Sequence, residues 1–318
     1  MTVAARPTPS RTARLAPSRT RRTAARLVAV LSALLLLVTI ASWIPGVIGT
    51  AAAAALPWVG VGIALTAIVA LVCARRSLLL LAAPVLVWAL AIVPSAPGLA
   101  TAGDADQTTI EVAGQNVRAH SGGAAASAQA LSETSADVIA LIELDAESLG
   151  AAREVLDTDY PYSTFVGTVG VWSRFPLGDA EPLALGLGWK RALRVEVQTP
   201  DAPVALYAIH AASVRPGQQD DRDMMLAEMA DAVAADPATA VILLGDFNAS
   251  SADPALSRVR DRIDWVRPTD GTFGFTWPAA APLARIDHVF SRGLGVLSST
   301  TLRTGSSDHL ATVTEFGL

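Results

Sequence analysis

The chain has 318 residues, 52% of them hydrophobic, and a formal charge of −5, so it has the length for one large domain plus further segments. The charge is unevenly divided: all 29 acidic residues lie at or after Asp104, where the formal charge is −14, and nine arginines precede it. One cysteine, Cys73, excludes a disulfide framework, and the acidic excess disfavours tight duplex binding, which draws on clustered Lys and Arg.

Residues 1–26 are rich in Arg, Thr, Ala and Pro without apolar periodicity, which predicts a disordered basic tail. Lipid headgroups and topology signalling explain its arginines more simply than nucleic acid does. No charged residue falls between Leu27 and Ala74. Residues 27–48 and 56–74 are each long enough to cross a bilayer, with GTAAAAA as a short connector, and 77–97 reads as a third crossing. A cleaved signal peptide is the rival reading of the first segment; its length and the two apolar segments that follow disfavour it. Arginines flank the first span on its N-terminal side, Arg75-Arg76 separate the second from the third, and the first connector has none. This predicts a cytoplasmic N-terminus, a multi-pass cell-membrane anchor and an extracytoplasmic C-terminal domain. The expected organisation is a tail over 1–26, three transmembrane helices over 27–97, a polar linker over 98–108 and a domain over 109–318.

From Thr109 onward strands and turns alternate with a few helices. Strands are expected over 109–117, 136–144, 167–174, 192–198, 204–210, 240–244, 286–291 and 310–316, and helices over 123–133 and 219–235. The run ADVIALIEL is continuously apolar, as in a strand buried on both faces. Many strands and few helices predict an α/β protein with two packed mixed sheets flanked by helices.

Polar groups stand where these strands stop: Asn116, Glu143, His210, Asp246 with Asn248, and Asp308 with His309; Asp287 begins another strand. An acid, an amide and a histidine at strand ends suit metal-assisted attack on a phosphate ester, in which the acid orients water or holds a cation. Each has a plainer reading. Asn116 alone is a turn residue, Asp246 and Asn248 shape an Asx turn, His210 is a hydrogen-bonded core histidine, and Asp308 is a surface charge. Glu143 lies in an apolar run where an unpaired carboxylate is costly, which favours function over a buried salt bridge. His288 points to the opposite face from Asp287 and reads as structural. Ser173, Arg174 and Arg194 read as scaffold, although either arginine has the length to reach a phosphate. Trp277 is either a loop anchor or a stacking wall.

In order, the segments QNV at 115–117, IELD at 142–145, WSRFPL at 172–177, YAIH at 207–210, LLGDFNA at 243–249, RIDHVF at 285–290 and SSDH at 306–309 resemble the endonuclease/exonuclease/phosphatase superfamily, the DNase I-like hydrolases. The resemblance covers nearly all of 109–318 and none of the apolar segments. It implies a four-layered α/β sandwich with a Mg²⁺ or Mn²⁺ requirement. By position it makes Glu143 the main metal carboxylate with Asn116 beside it and Asp308 assisting. It makes Asp246 the group that holds or deprotonates the attacking water and Asn248 a ligand of the phosphoryl oxygens. His210 and His309 flank the phosphate, with Asp287 orienting His309. IELD departs from the usual Gln-Glu pairing, so only Glu143 itself carries over. Histidine at 210, where abasic-site endonucleases have tyrosine, disfavours that branch.

The expected activity is membrane-anchored, divalent-metal-dependent phosphoester hydrolysis outside the cytoplasm. The substrate is nucleic acid, a phospholipid or a small phosphorylated metabolite; the bilayer is the other partner, and no protein partner is identifiable. The competing expectations are a catalytically silent binding or scaffold module and, with inverted topology, an intracellular nuclease tethered to the membrane.

Overall fold

A computed structural model describes residues 19–101, 107–215 and 219–318. The start of the expected tail (1–18) and the middle of the expected linker (102–106) lie outside the described residues.

Three helices are long and apolar enough to cross a membrane, by length and composition: α1 (Arg19–Ala41), α2 (Val47–Cys73) and the helical run Arg75–Ile92, whose second part is α3 (Ala82–Ile92). Two boundaries differ from the sequence reading. The tail is already helical from Arg19, since arginine and alanine are good helix formers. GTAAAAA is not a connector but the start of α2, because alanine has the highest helix propensity. The true turn is 42–46, where Pro45 is followed by Gly46 at φ 96°.

The remaining elements are β1 (Thr109–Asn116), α4 (Ala124–Ser132), β2 (Val138–Ile142), α5 (Ala146–Leu156), β3 (Tyr162–Val166), β4 (Val169–Ser173), β5 (Glu181–Leu183), β6 (Ala192–Gln198), β7 (Pro203–His210), α6 (Gln219–Ala235), β8 (Val241–Asp246), α7 (Ser257–Arg260), β9 (Asp264–Trp265), β10 (Asp287–Arg292), β11 (Gly295–Leu302) and β12 (Ala311–Gly317). They form two six-stranded mixed sheets, ordered β11-β12-β1-β2-β4-β3 and β5-β6-β7-β8-β10-β9. Each sheet holds one parallel pair, β1 with β2 and β7 with β8, and the other pairings are antiparallel.

Alternation along the strands sorts the side chains into layers. Ile110, Val112, Val138, Val195, Leu206, Ile242, Leu244 and Val289 fill the space between the sheets. Ile139, Leu141 and Trp172 face outward against Ala128 and Leu131 of α4 and Ala152 and Leu156 of α5. Tyr207, Leu243 and Phe290 face the other way, against Met225, Met229 and Val233 of α6. The result is the expected four-layered sandwich, two packed mixed sheets flanked by helices.

A buried polar cluster joins the end of α6 to the second sheet. Asp236 accepts bonds from Arg194 Nε at 2.6 Å, Tyr207 Oη at 2.6 Å and the Ala238 amide at 2.9 Å. Burial works against its charge, but these donors prevail and hold the carboxyl at about 2. A depressed carboxyl stabilises the fold above its ordinary value of 3.8, and that contribution is lost as pH falls towards 2. Asp236→Ala leaves the partly exposed Arg194 and the buried Tyr207 hydroxyl without their acceptor, and we expect a loss of roughly 1–3 kcal/mol in urea unfolding, with turnover per folded molecule unchanged.

Candidate active site

The parallel pairs bring their carboxyl ends to one edge of the sandwich. Asn116 pairs with Ile142, one residue before Glu143, and His210 pairs with Asp246. Strand β10 runs antiparallel to β8 and starts where β8 stops, so Asp287 pairs with Asp246. Strand β12 runs antiparallel to β1, so the turn before it returns His309 to the same edge.

Each residue of the GDFN segment has a separate reason to be there. Gly245 has φ 142°, and an added Cβ would lie 2.0 Å from the Ile209 carbonyl oxygen, so only glycine lets β8 approach β7 here. Asp246 turns into the site and is 1% exposed. Phe247 turns outward, fully buried, with its ring 5.2 Å from that of Phe290. Asn248 returns to the site at φ 47°, its amide donating to Asp246 Oδ1 at 2.9 Å. The Asx turn and the site geometry are therefore one arrangement, not rival readings. Glu143, at φ 63°, is a second strained residue, and Arg118 and His120 on the adjoining loop share the left-handed conformation. Backbone strain gathered at one edge is characteristic of functional loops.

A chain of hydrogen bonds links the polar groups. Asn116 Nδ2 donates to Asp246 Oδ2 at 3.0 Å, and Asn248 Nδ2 donates to the same oxygen at 3.3 Å. His210 Nε2 lies 3.1 Å from Glu143 Oε1, and His309 Nδ1 lies 2.9 Å from Asp287 Oδ2. The Arg191 guanidinium stands 2.6 and 2.7 Å from the two ring nitrogens of His210. One guanidinium nitrogen so close to both ring nitrogens caps the face of the imidazole and holds the ring with Nε2 towards Glu143.

The electrostatics separate the two carboxylates. The hydrogen bond from His210, outweighing burial, lowers the Glu143 carboxyl to about 2, so it is ionised throughout the neutral range. Asp246 moves the other way: burial raises it first and the neighbouring Asp287 carboxylate raises it further. His309 is opposed by burial, but the charge of Asp287 and its hydrogen bond lift the imidazole to about 10.

The donor set fits a hard divalent cation. Glu143, His210 and Asp246 form one group whose ligand atoms lie within 4.8 Å of one another, and Asp246, Asp287 and His309 form a second that shares Asp246. Among the described residues, no hydrogen-bond donor reaches the buried Asp287 Oδ1. Buried acceptors are ordinarily satisfied, so an unpaired carboxylate oxygen beside Asp246 fits a site that receives positive charge.

Of the sequence-derived site residues, Asn116, Glu143, His210, Asp246, Asn248, Asp287 and His309 converge. Asp308 stands apart: its carboxylate is half-exposed, 3.9 Å from Arg118 Nε, and belongs to neither metal-competent group. His288 is fully buried on the opposite face, with Nε2 2.9 Å from the Ala249 carbonyl oxygen. His120, on the loop after β1, lies with Nδ1 2.9 Å from Asp145 Oδ2, outside both metal-competent groups. Arg194 serves the Asp236 cluster described above, and Arg174 pairs with Asp137 at 3.9 Å.

Three contributors escaped the sequence reading. Arg191 precedes an ordinary alternating strand, and nothing local marks it. Ser307 donates from its hydroxyl to the Asn116 carbonyl at 2.5 Å and accepts from the His309 amide at 3.0 Å. The SSDH segment contains that serine, but only the acid and histidine drew notice. Thr276, fully buried, accepts the Ile286 and Asp287 amides on its hydroxyl at 3.1 and 3.2 Å.

Residues 113–309 match the Endonuclease/Exonuclease/phosphatase family. No curated protein matches the chain. Among solved structures, TDP2 of D. rerio complexed with a single-strand DNA product is similar at TM-score 0.57 and 17% identity, covering 66% of this chain and 100% of that one. A family protein from Bacteroides thetaiotaomicron is similar at TM-score 0.56 and 15% identity, over 66% of this chain and 98% of that one. A variant of Staphylococcus aureus beta toxin with bound magnesium ions is similar at TM-score 0.50 and 14% identity, over 66% and 100%. At these identities the structural likeness shows the fold alone.

Proposed function

The chain belongs to the endonuclease/exonuclease/phosphatase family of metal-dependent phosphoester hydrolases, and from that premise we propose that it is a membrane-anchored phosphoesterase whose site works outside the cytoplasm. The observation that carries the reading is the buried carboxylate pair, Asp246 and Asp287, with one oxygen left unpaired beside an imidazole lifted to about 10. Such a pair is costly to fold and earns its place only where charge is used.

Glu143 and Asn116 would hold a divalent cation, which supplies charge neutralisation at the phosphoryl oxygens and polarises the ester. The bound magnesium of the beta toxin variant supports that choice of ion. His210, fixed by Arg191, keeps Glu143 oriented and ionised. Asp246 takes a proton from water as the water oxygen bonds to phosphorus and the ester P–O bond breaks, and the departing alkoxide takes its proton from bulk solvent; the raised pKa of Asp246 makes it a better base than an ordinary aspartate. Asn248 would reach a phosphoryl oxygen by exchanging the 3.3 Å bond of its Nδ2 to Asp246 Oδ2, while its other N–H holds the Ala211 carbonyl at 3.0 Å. His309 at about 10 is a weak acid at neutral pH, so its role is a charged clamp on the phosphoryl group and not proton delivery.

Three apolar helices support the anchor. The domain packs against the start of α2 and the end of α3, the ends remote from Arg75-Arg76. That arrangement agrees with basic residues kept inside and the domain outside. The formal charge of −14 from Asp104 onward favours small or headgroup phosphoesters over duplex nucleic acid.

Full-length protein in nanodiscs, given Mg²⁺, is to be assayed against DNA, RNA, phospholipid and inositol phosphates. Mg²⁺-dependent release of product from at least one class is expected, and inactivity against all four would sink the reading. A C-terminal alkaline phosphatase fusion should be active only if the domain is exported; a silent, stably expressed fusion would refute the location.

A further inference from the structure

Two contacts between α2 and the catalytic domain are polar, and a passive tether requires neither. The first begins at Thr50. Its hydroxyl accepts from Gln219 Nε2 at 2.7 Å and from Arg222 Nη2 at 3.1 Å. Arg222 is 0% exposed, and its Nη1 donates both to Asp253 Oδ2 and to the carbonyl of Asn248, each at 2.9 Å. Asn248 is the strained residue that follows Asp246. One guanidinium thus bridges the start of α2 to the turn that aims the GDFN segment.

The second contact begins two turns further along, at Trp58. Its indole N–H donates to the Leu283 carbonyl at 3.0 Å, and its ring stacks on Phe275 with centroids 6.1 Å apart and planes 30° apart. Phe273 continues the stack at 5.6 Å and 12°, and it packs with Leu56, Ala91 and Ile92 of the helices. Next to Phe275 is Thr276. Its hydroxyl takes the Ile286 and Asp287 amides, and its carbonyl takes the Leu310 amide at 2.8 Å. From the same loop, the Ala279 amide donates to the Asp308 carbonyl at 2.6 Å. The loop gripped by Trp58 on one side therefore fixes Asp287 and the turn carrying His309 on the other.

We propose that the outer end of α2 is a working part of the active site, with Thr50 and Trp58 as positioning residues that brace, through Arg222 and through Phe275–Thr276, the two loops presenting Asn248 and the Asp287–His309 pair. The geometry makes the effect specific. Strands β1, β2 and β7, which carry Asn116 and His210 and end one residue before Glu143, are held by parallel pairing within the sheets, with no bond to α2 among the described residues. Asn248, Asp287 and His309 stand on turns or at a strand's first residue, where ladder bonds are fewest, so they depend on outside contacts for placement. Catalytic groups displaced by a fraction of an ångström lose rate without losing substrate binding.

The test uses the full chain in nanodiscs, with Thr50→Val, Trp58→Ala, Trp58→Phe and, as control, Leu65→Ala at an exposed position on the same helix. One net hydrogen bond and a ring stack correspond to a fall in kcat of about three- to tenfold. We expect that range for Thr50→Val and Trp58→Ala with KM changed by less than about twofold, partial recovery in Trp58→Phe, and no change in Leu65→Ala. Trp58→Ala and Phe275→Ala should combine to less than the product of their separate effects. Unchanged kcat in both Thr50→Val and Trp58→Ala would overturn the brace.

Only this kinetic arm rests on the phosphoesterase reading; absence of hydrolysis by the parent protein refutes that reading instead. The brace itself is read independently by amide exchange. Trp58→Ala should speed exchange at Ile286, Asp287 and Leu310, and Thr50→Val should speed it at Asn248 and at Ala255, whose amide donates to Asp253 Oδ1 at 3.0 Å. Amides in β6 should keep their parent rates. Exchange unaltered at all five site amides contradicts the proposal whatever the protein hydrolyses.

Discussion

Asp246→Asn is expected to lower kcat by about a thousandfold, the size of the loss when a positioned general base is removed, while the protein unfolds at a temperature close to its parent's. The two halves of that result have one cause. Asp246 is 1% exposed, and its carboxyl is raised by burial and by Asp287. Asparagine keeps the shape and an acceptor for the Asn248 amide and removes the charge that opposes Asp287, which offsets the loss of the acceptor that Asn116 and Asn248 Nδ2 share. The variant therefore loses the proton acceptor and sheds a repulsion. KM should move little, since the phosphoryl contacts proposed for Asn248 and His309 remain in the variant. Thermal unfolding beside steady-state kinetics checks this. A large fall in Tm would mean that Asp246 is structural, and near-parental kcat would remove it from the mechanism.

The second large effect concerns the Asp287–His309 pair. His309→Ala should cost roughly a hundred- to a thousandfold in kcat, the usual loss for a charged group that stabilises developing negative charge. Asp287→Asn should act through the same imidazole, so the double variant should be little worse than His309→Ala alone. The pH dependence gives the sign. A histidine lifted from 6.5 to about 10 contributes its ion pair fully below 6.5 and loses it as pH rises through 10. Activity that needs the imidazolium should therefore decline only on the far alkaline side in the parent. In Asp287→Asn that limb should shift acidward, towards the ordinary histidine range. Identical alkaline limbs in the two proteins would separate Asp287 from the function of His309.

Much of the fold was legible because sheet alternation and continuous apolar runs are strong signals: eight expected strands and both expected domain helices are present. What escaped is weak in sequence for physical reasons. Strand β11, GVLSSTTL, pairs only with β12 at a sheet edge and needs no apolar face. Helix α5 is announced by the capping box of Asp145 and Ser148, a short signal next to the more conspicuous Glu143. GTAAAAA reads as a connector because small residues resemble a loop in hydropathy, while their helix propensity places them in α2. At the site, residues that end strands were visible as polar breaks in apolar runs. Arg191, Thr276 and Arg222 were not, because each acts through a partner distant in sequence: His210, Asp287 and Asn248 respectively. Asp308 was the opposite case, conspicuous beside His309 yet turned towards Arg118.

The central claim is that Glu143 and its neighbours make a metal-dependent phosphoester hydrolase, and the most direct measurement is Mg²⁺ titration of activity after chelation. Parent protein treated with EDTA should be inactive and regain turnover saturably as Mg²⁺ is restored. Glu143→Gln should need at least about tenfold more Mg²⁺ for half-maximal rate and reach a lower plateau. Turnover that survives complete chelation, or a Glu143→Gln titration superimposable on the parent's, would contradict the account.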